Sequence, residues 1–166
     1  YFAATAARGL PHRLVLVGPR GWGVEAQTRR MIRELGLEGK AMLAGFLPEA
    51  DLPAIYSQAS ALLFPSRAEG FGLPVLEALA CGAPGVCSDI PALRELTAGA
   101  ARLAPPEDLP ALRLALEEVL ANATLARELA AAGLARARAF TWPAHAQATL
   151  ALYREVIAED RARRGG

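Results

Sequence analysis

Five short apolar runs, each followed by a turn and then a helical stretch, constrain this chain more than any other feature. They read Arg13-Leu14-Val15-Leu16-Val17-Gly18, Ala41-Met42-Leu43-Ala44, Ala61-Leu62-Leu63-Phe64-Pro65-Ser66, Pro84-Gly85-Val86-Cys87 and Ala101-Arg102-Leu103-Ala104. Runs of this length bounded by Gly, Pro and Ser read as buried strands. Between them lie helical segments expected at Val24 to Leu35, Glu49 to Ser57, Leu73 to Cys81 and Ile90 to Leu96. Such alternation predicts an α/β fold: a Rossmann-like parallel sheet with helices on both faces. Beyond Pro105-Pro106 the chain reads as three helices, Leu109 to Leu120, Thr124 to Phe140 and Pro143 to about Arg161. Tyr1 to Arg8 reads as the tail of a helix, and a frayed tail is expected from Arg161 to Gly166.

In a parallel sheet, ligands bind beyond the carboxyl ends of the strands. Gly18-Pro19, Gly45-Phe46, Ser66 to Gly72 and Ser88-Asp89 all fall there. The third of these loops leads into Glu69-Gly70-Phe71-Gly72-Leu73-Pro74-Val75-Leu76-Glu77, where two carboxylates bracket a glycine-rich turn with seven residues between them. A helix beginning near Gly72 presents N–H groups without intrahelical partners, a natural anion site. Gly70 and Gly72 let the backbone approach a ligand closely. Carboxylates accept hydrogen bonds, so Glu69 and Glu77 suit hydroxyl donors such as those of a sugar and a ribose. Five residues along a helix span about 7.5 Å, the reach from a phosphate at the tip to a ribose along the axis. The apolar stripe of this helix reads Leu73, Leu76 and Ala80, with Leu79 alongside and Glu77 at its edge. Taken singly, Glu69 also suits a helix N-terminus, and Glu77 also suits a solvated surface.

Composition narrows the alternatives. At 166 residues the chain fits one domain with its own core. A net charge of +1 gives no electrostatic footprint for nucleic acid. No apolar run is long enough to span a membrane. Cys81 and Cys87 lack metal-ligand spacing and read as small buried residues in a reducing cytosol. His12 and His145 stand apart, and the aspartates are isolated, so no metal site is expected.

The segments Pro65-Ser66, Glu69 through Ala78 and Ala80-Cys81-Gly82 resemble the C-terminal, donor-binding domain of retaining glycosyltransferases of family 4, which have the two-domain GT-B fold. Val15 to Gly23, Gly36-Leu37 through Gly45-Phe46-Leu47, Asp51-Leu52 through Tyr56, and Phe140-Thr141-Trp142 to Tyr153 extend the resemblance along most of the chain. It implies that residues 1–166 form one nucleotide-sugar-binding domain, with 141–161 a terminal helix crossing toward an N-terminal acceptor domain. Glu69, counted as the catalytic residue, would hold hydroxyls of the transferred sugar. Backbone N–H groups of Phe71, Gly72 and Leu73 would meet the sugar and diphosphate. Glu77 would bind the ribose hydroxyls, Gly45, Phe46 and Leu47 would line the base, and Gly18 would leave room for the nucleotide. The donor would be a UDP-, GDP- or ADP-sugar used as substrate, without metal or other cofactor, in retaining transfer of a hexosyl group. No Ser, Cys or Thr nucleophile stands with a base, so positioning and stabilisation of the departing diphosphate carry the chemistry.

The family's diphosphate-gripping Arg and Lys follow a first strand that would precede Tyr1. The chain is therefore expected to be part of a larger enzyme, without turnover alone and cytoplasmic, a peripheral place at the inner membrane being open for the whole enzyme. The slot of that strand, between Leu14 to Val17 and Ala61 to Phe64, is expected either to be filled by self-association with a partner copy or to close up. Gly85 is expected to weaken its strand. Three other readings compete. One is a donor-like module without catalysis. Another is a dinucleotide-binding oxidoreductase domain, which Gly18-Pro19-Arg20-Gly21 does not match. The last is a helical scaffold from Leu109 onward, where the stripes Leu112, Leu116, Val119, Leu120 and Leu150, Tyr153, Ile157 read more readily as core.

Overall fold

All five expected strands form, and every pairing between them is parallel. The computed structural model describes residue 9 and residues 11–18 and 24–164. The expected helix tail at Tyr1 to Arg8 and the Pro19 to Gly23 loop, with Trp22, lie outside the described residues. In chain order the elements are β1 (Leu14–Val17), α1 (Val24–Glu34), β2 (Ala41–Gly45), a 3-10 turn (Glu49–Asp51), α2 (Leu52–Gln58), β3 (Leu62–Phe64), α3 (Leu73–Ala80), β4 (Gly85–Ser88), α4 (Pro91–Thr97), β5 (Ala101–Ala104), α5 (Leu109–Ala121), α6 (Ala123–Ala137) and α7 (Trp142–Arg164).

The strands form two separate ladders, β1-β2 and β3-β4-β5. β1 and β3 are not hydrogen-bonded neighbours, so among the described residues the expected slot has not closed up. The chain crosses from one ladder to the other through the 3-10 turn and α2, which packs against α3.

The core belongs to the second ladder. β4 lies between β3 and β5 and is buried along its whole length. Successive side chains of a strand point to opposite faces. Cys87 accordingly joins Val75 and Leu79 of α3 and Leu93 and Leu96 of α4, while Val86 joins Leu112, Leu116 and Val119 of α5 and Leu129 of α6. Burial pushes the Cys87 thiol up to about 12, which keeps it a neutral core side chain. Full burial of side chains such as Val75, Leu79, Leu93 and Leu112 stabilises by about 1.5–3 kcal/mol each. Among the described residues the β1-α1-β2 unit has one buried hydrophobic residue, Leu37, packed by Leu14, Ile32 and Ala41.

Three glycines admit close packing. A Cβ at Gly133 would lie 2.8 Å from Leu79 Cδ2, so its absence lets α6 approach α3. A Cβ at Gly85 would lie 3.0 Å from that of Ala101, its register partner on β5. Gly85 therefore lets the two strands come together, a use not anticipated for a residue expected to weaken its strand. Gly72 belongs to the site.

Three expectations are corrected. The buried face of α3 is Val75, Ala78 and Leu79, whereas Leu73 is 50% exposed and Ala80 is exposed. The helix turns Val75 and Leu79 toward α4, β4 and α6, where Leu93, Leu96, Cys87 and Gly133 lie. α7 stays helical to Arg164 rather than fraying at Arg161, with Arg163–Glu159 and Arg164–Asp160 pairs one turn apart. Its stripe of Leu150, Tyr153 and Ile157 is exposed, and α7 has no buried residue. No helix among the described residues is long and apolar enough to cross a membrane.

Candidate functional site

The turn between β3 and α3 is built to end in a left-handed glycine. Gly72 caps α3 at φ 97°, a conformation costly for residues with a Cβ. It is buried, and a Cβ there would lie 2.6 Å from Leu93 Cδ2 and 3.3 Å from Leu96 Cδ2. The fold therefore requires glycine at 72. A Cβ at Gly70, by contrast, would meet nothing within 4 Å. The helix carries no side-chain cap. Val75 and Leu76 N–H both donate to Gly72 O, so the N–H groups of Phe71, Gly72 and Leu73 precede the first backbone bond of the helix. They carry the positive end of its dipole.

A hydroxyl holds each carboxylate. Ser66, just beyond β3, donates to Glu69 Oε1 at 2.8 Å and lies 3.0 Å from the Ala68 carbonyl. Tyr56 of α2 donates to Glu77 Oε2 at 3.2 Å. The Tyr56 hydroxyl is pushed up to about 12, first by burial, then by the Glu77 charge and the bond to it. Cys81, one turn beyond Glu77, is raised by burial and by the same carboxylate.

Phe71 is anchored from behind. Its ring meets Phe140 edge-on at 5.8 Å, and the Arg136 guanidinium sits 4.7 Å over Phe140. Arg136 also donates to the carbonyls of Leu96 at 2.8 Å and Glu95 at 2.9 Å, at the C-terminus of α4.

The remaining expected residues gather at the end of the other ladder. Gly18 N–H donates to the Gly45 carbonyl at 3.0 Å, and an irregularity in register sets Gly45 opposite Val17. Phe46 follows, 76% exposed, and Leu47 is half-buried. The structure thus brings together Gly18, Gly45, Phe46 and Leu47 as one group. Glu69, Gly70, Phe71, Gly72, Leu73 and Glu77 form another. In chain order α2 lies between them, and it reaches the second through Tyr56.

In the sequence Ser66, Tyr56 and Phe140 stand within motifs but show no task at the site, and nothing there marks Arg136. Ser66, three residues ahead of an acid in a turn, is a local pattern that could have signalled its bond. A groove of about 550 Å³ on the outer side of β5 and α5, lined by Arg102, Leu103, Leu114 and Glu118, contains none of these residues. Among the described residues no three His, Cys, Asp or Glu side chains converge as metal ligands.

The family model described as "Glycosyl transferases group 1" matches residues 3–136. The chain belongs to that family. This group 1 glycosyl transferase chain is 38% identical over 130 residues to the O-antigen chain mannosyltransferase B of Escherichia coli, covering 78% of this chain and 34% of the relative. It therefore spans about a third of that relative's length. Among solved structures it is similar to sucrose-phosphate synthase from Thermosynechococcus elongatus, at TM-score 0.81 and 32% identity, over 95% of this chain and 42% of the other. It is also similar to Anabaena HepE, solved in complex with UDP and glucose, at TM-score 0.67 and 25% identity, over 81% of this chain and 38% of that one. The α/β architecture is that of GT-B glycosyltransferases.

Proposed function

We propose that this group 1 glycosyl transferase chain binds a nucleotide-sugar donor for retaining transfer of a hexosyl group. The observation that carries the reading is the pair of hydroxyl-held carboxylates on either side of the uncapped N-terminus of α3. The N–H groups of Phe71, Gly72 and Leu73 suit the diphosphate, whose charge grows as it departs. Glu69, on the strand side, accepts hydroxyls of the sugar. Glu77, along α3, accepts those of the ribose. Gly18 and the Gly45 to Leu47 turn receive the nucleoside, the base resting against backbone groups. That the similar HepE was solved in complex with UDP and glucose supports a nucleotide-sugar as the class of ligand. No metal is assigned a part. The acceptor belongs to a further domain, so turnover by the isolated chain is not expected. The chain's place is cytoplasmic in this reading.

Calorimetric titration of the chain with UDP, GDP and ADP tests the proposal. One nucleotide should bind, and Glu77→Ala should weaken it by about 1.5–3 kcal/mol through loss of charge-assisted bonds. A chain extended upstream serves as the second arm. Silence from both, with folded protein, overturns the donor reading.

A further inference from the structure

Glu77 is exposed on α3, and an unrestrained glutamate there would sample many rotamers. Tyr56 prevents this. It comes from a different helix, 21 residues earlier, and its hydroxyl meets one carboxylate oxygen, Oε2, at 3.2 Å. Packing of α2 on α3 fixes the distance between the two side chains. The phenol is half-buried, whereas the carboxylate it meets is exposed. A phenol has a single proton to donate, so the bond occupies Oε2 and leaves Oε1 facing other donors.

We propose that Tyr56 is the positioning residue that gives this site its preference for a ribose with intact hydroxyls, by fixing the Glu77 carboxylate so that Oε1 meets the vicinal diol of the nucleotide. The proposal rests on the reading of Glu77 as the ribose acceptor. Tyr56 itself touches no ligand in it. With Tyr56 in place the carboxylate is ordered before the nucleotide arrives, and pre-organisation of this kind raises affinity without adding a contact. The burial and charge that hold the phenol protonated keep it a donor throughout the neutral range.

The experiment is titration of the chain with UDP, GDP and ADP and with their 2′,3′-dideoxy forms, for the wild type, Tyr56→Phe, Glu77→Ala and the double variant. The quantity read is the ratio of affinities, ribonucleotide over dideoxynucleotide. Wild type should favour the ribonucleotide, and Tyr56→Phe should reduce that ratio about fivefold while leaving dideoxynucleotide affinity unchanged. In the Glu77→Ala background, Tyr56→Phe should change the ratio no further. If wild type shows no ribose preference, or if neither it nor the folded chain extended upstream binds a nucleotide, the reading of Glu77 fails and this inference falls with it. If wild type shows the preference and Tyr56→Phe retains or raises it, the inference alone fails. It fails equally if Tyr56→Phe weakens both nucleotide forms alike, the mark of a packing role. A further loss of the ratio in the Glu77→Ala background would show that Tyr56 acts other than through Glu77.

Discussion

Glu69 and its neighbours show how little local geometry is left free in the turn. The Ser66 hydroxyl lies 2.8 Å from Glu69 Oε1 and 3.0 Å from the Ala68 carbonyl, so one proton is shared between two acceptors. Ser66→Ala should release Glu69 and leave the turn otherwise intact. Affinity for a nucleotide-sugar should drop by about 0.5–1.5 kcal/mol, with free nucleotide unaffected, as paired titrations of the two ligands would reveal. Gly72 is less forgiving. Gly72→Ala adds a Cβ in the left-handed region and drives it to 2.6 Å from Leu93 Cδ2. Conformational strain and overpacking together should cost about 2–4 kcal/mol, measurable as a lower urea midpoint at unchanged slope. The two glutamates were legible in the sequence because turn chemistry and helix phase act over a few residues. The Tyr56 partner of Glu77 was not, because no local rule spans the 21 residues between them.

At the scale of elements, the turn between β3 and α3 and the start of α7 are mechanically connected. Phe71 leans on Phe140, Phe140 lies under Arg136, and Arg136 holds the last carbonyls of α4. Phe140 also stands just ahead of α7, so the helix's point of departure is set against the turn. Arg136→Ala should remove two charge-assisted bonds and a ring contact, destabilising the chain by about 2–4 kcal/mol. Thermal denaturation would test this, and Arg136→Lys should recover only part, since lysine cannot span both carbonyls in a fork. Strand and helix positions were largely legible from apolar runs and punctuation, as the limits of β5 illustrate. Helix faces were harder. The stripe Leu73, Leu76, Ala80 is as apolar as the true face Val75, Ala78, Leu79. In a helix this short and this hydrophobic, only the neighbours decide which side is buried. α7 errs the other way, with an amphipathic stripe that nothing among the described residues covers.

Across the whole molecule, stability is distributed unevenly. The β3-β4-β5 ladder is sandwiched by two apolar clusters, whereas among the described residues the β1-β2 unit has Leu37 as its one buried hydrophobic residue and leaves Val15, Val17 and Met42 partly exposed. Native-state hydrogen exchange should find the β4 amides opening only with global unfolding. Those of β1 and β2 should exchange through a smaller, separate opening. Equal protection in both ladders would contradict this. Parallel order was legible, because βαβ connections are a matter of chain order. The weakness of the first ladder was not, since its runs are as apolar as the others and only tertiary burial separates them. The split sheet bears on how affinity should be understood. Gly18 and Gly45 end the weak ladder, and Glu69 and Glu77 sit beyond the strong one. In the proposed reading, a nucleotide held at both ends would act as a clasp across the two ladders. Its apparent dissociation constant would then be the intrinsic one divided by the fraction of molecules already held in register. A neighbour that joined the two ladders would therefore tighten nucleotide binding without touching the nucleotide.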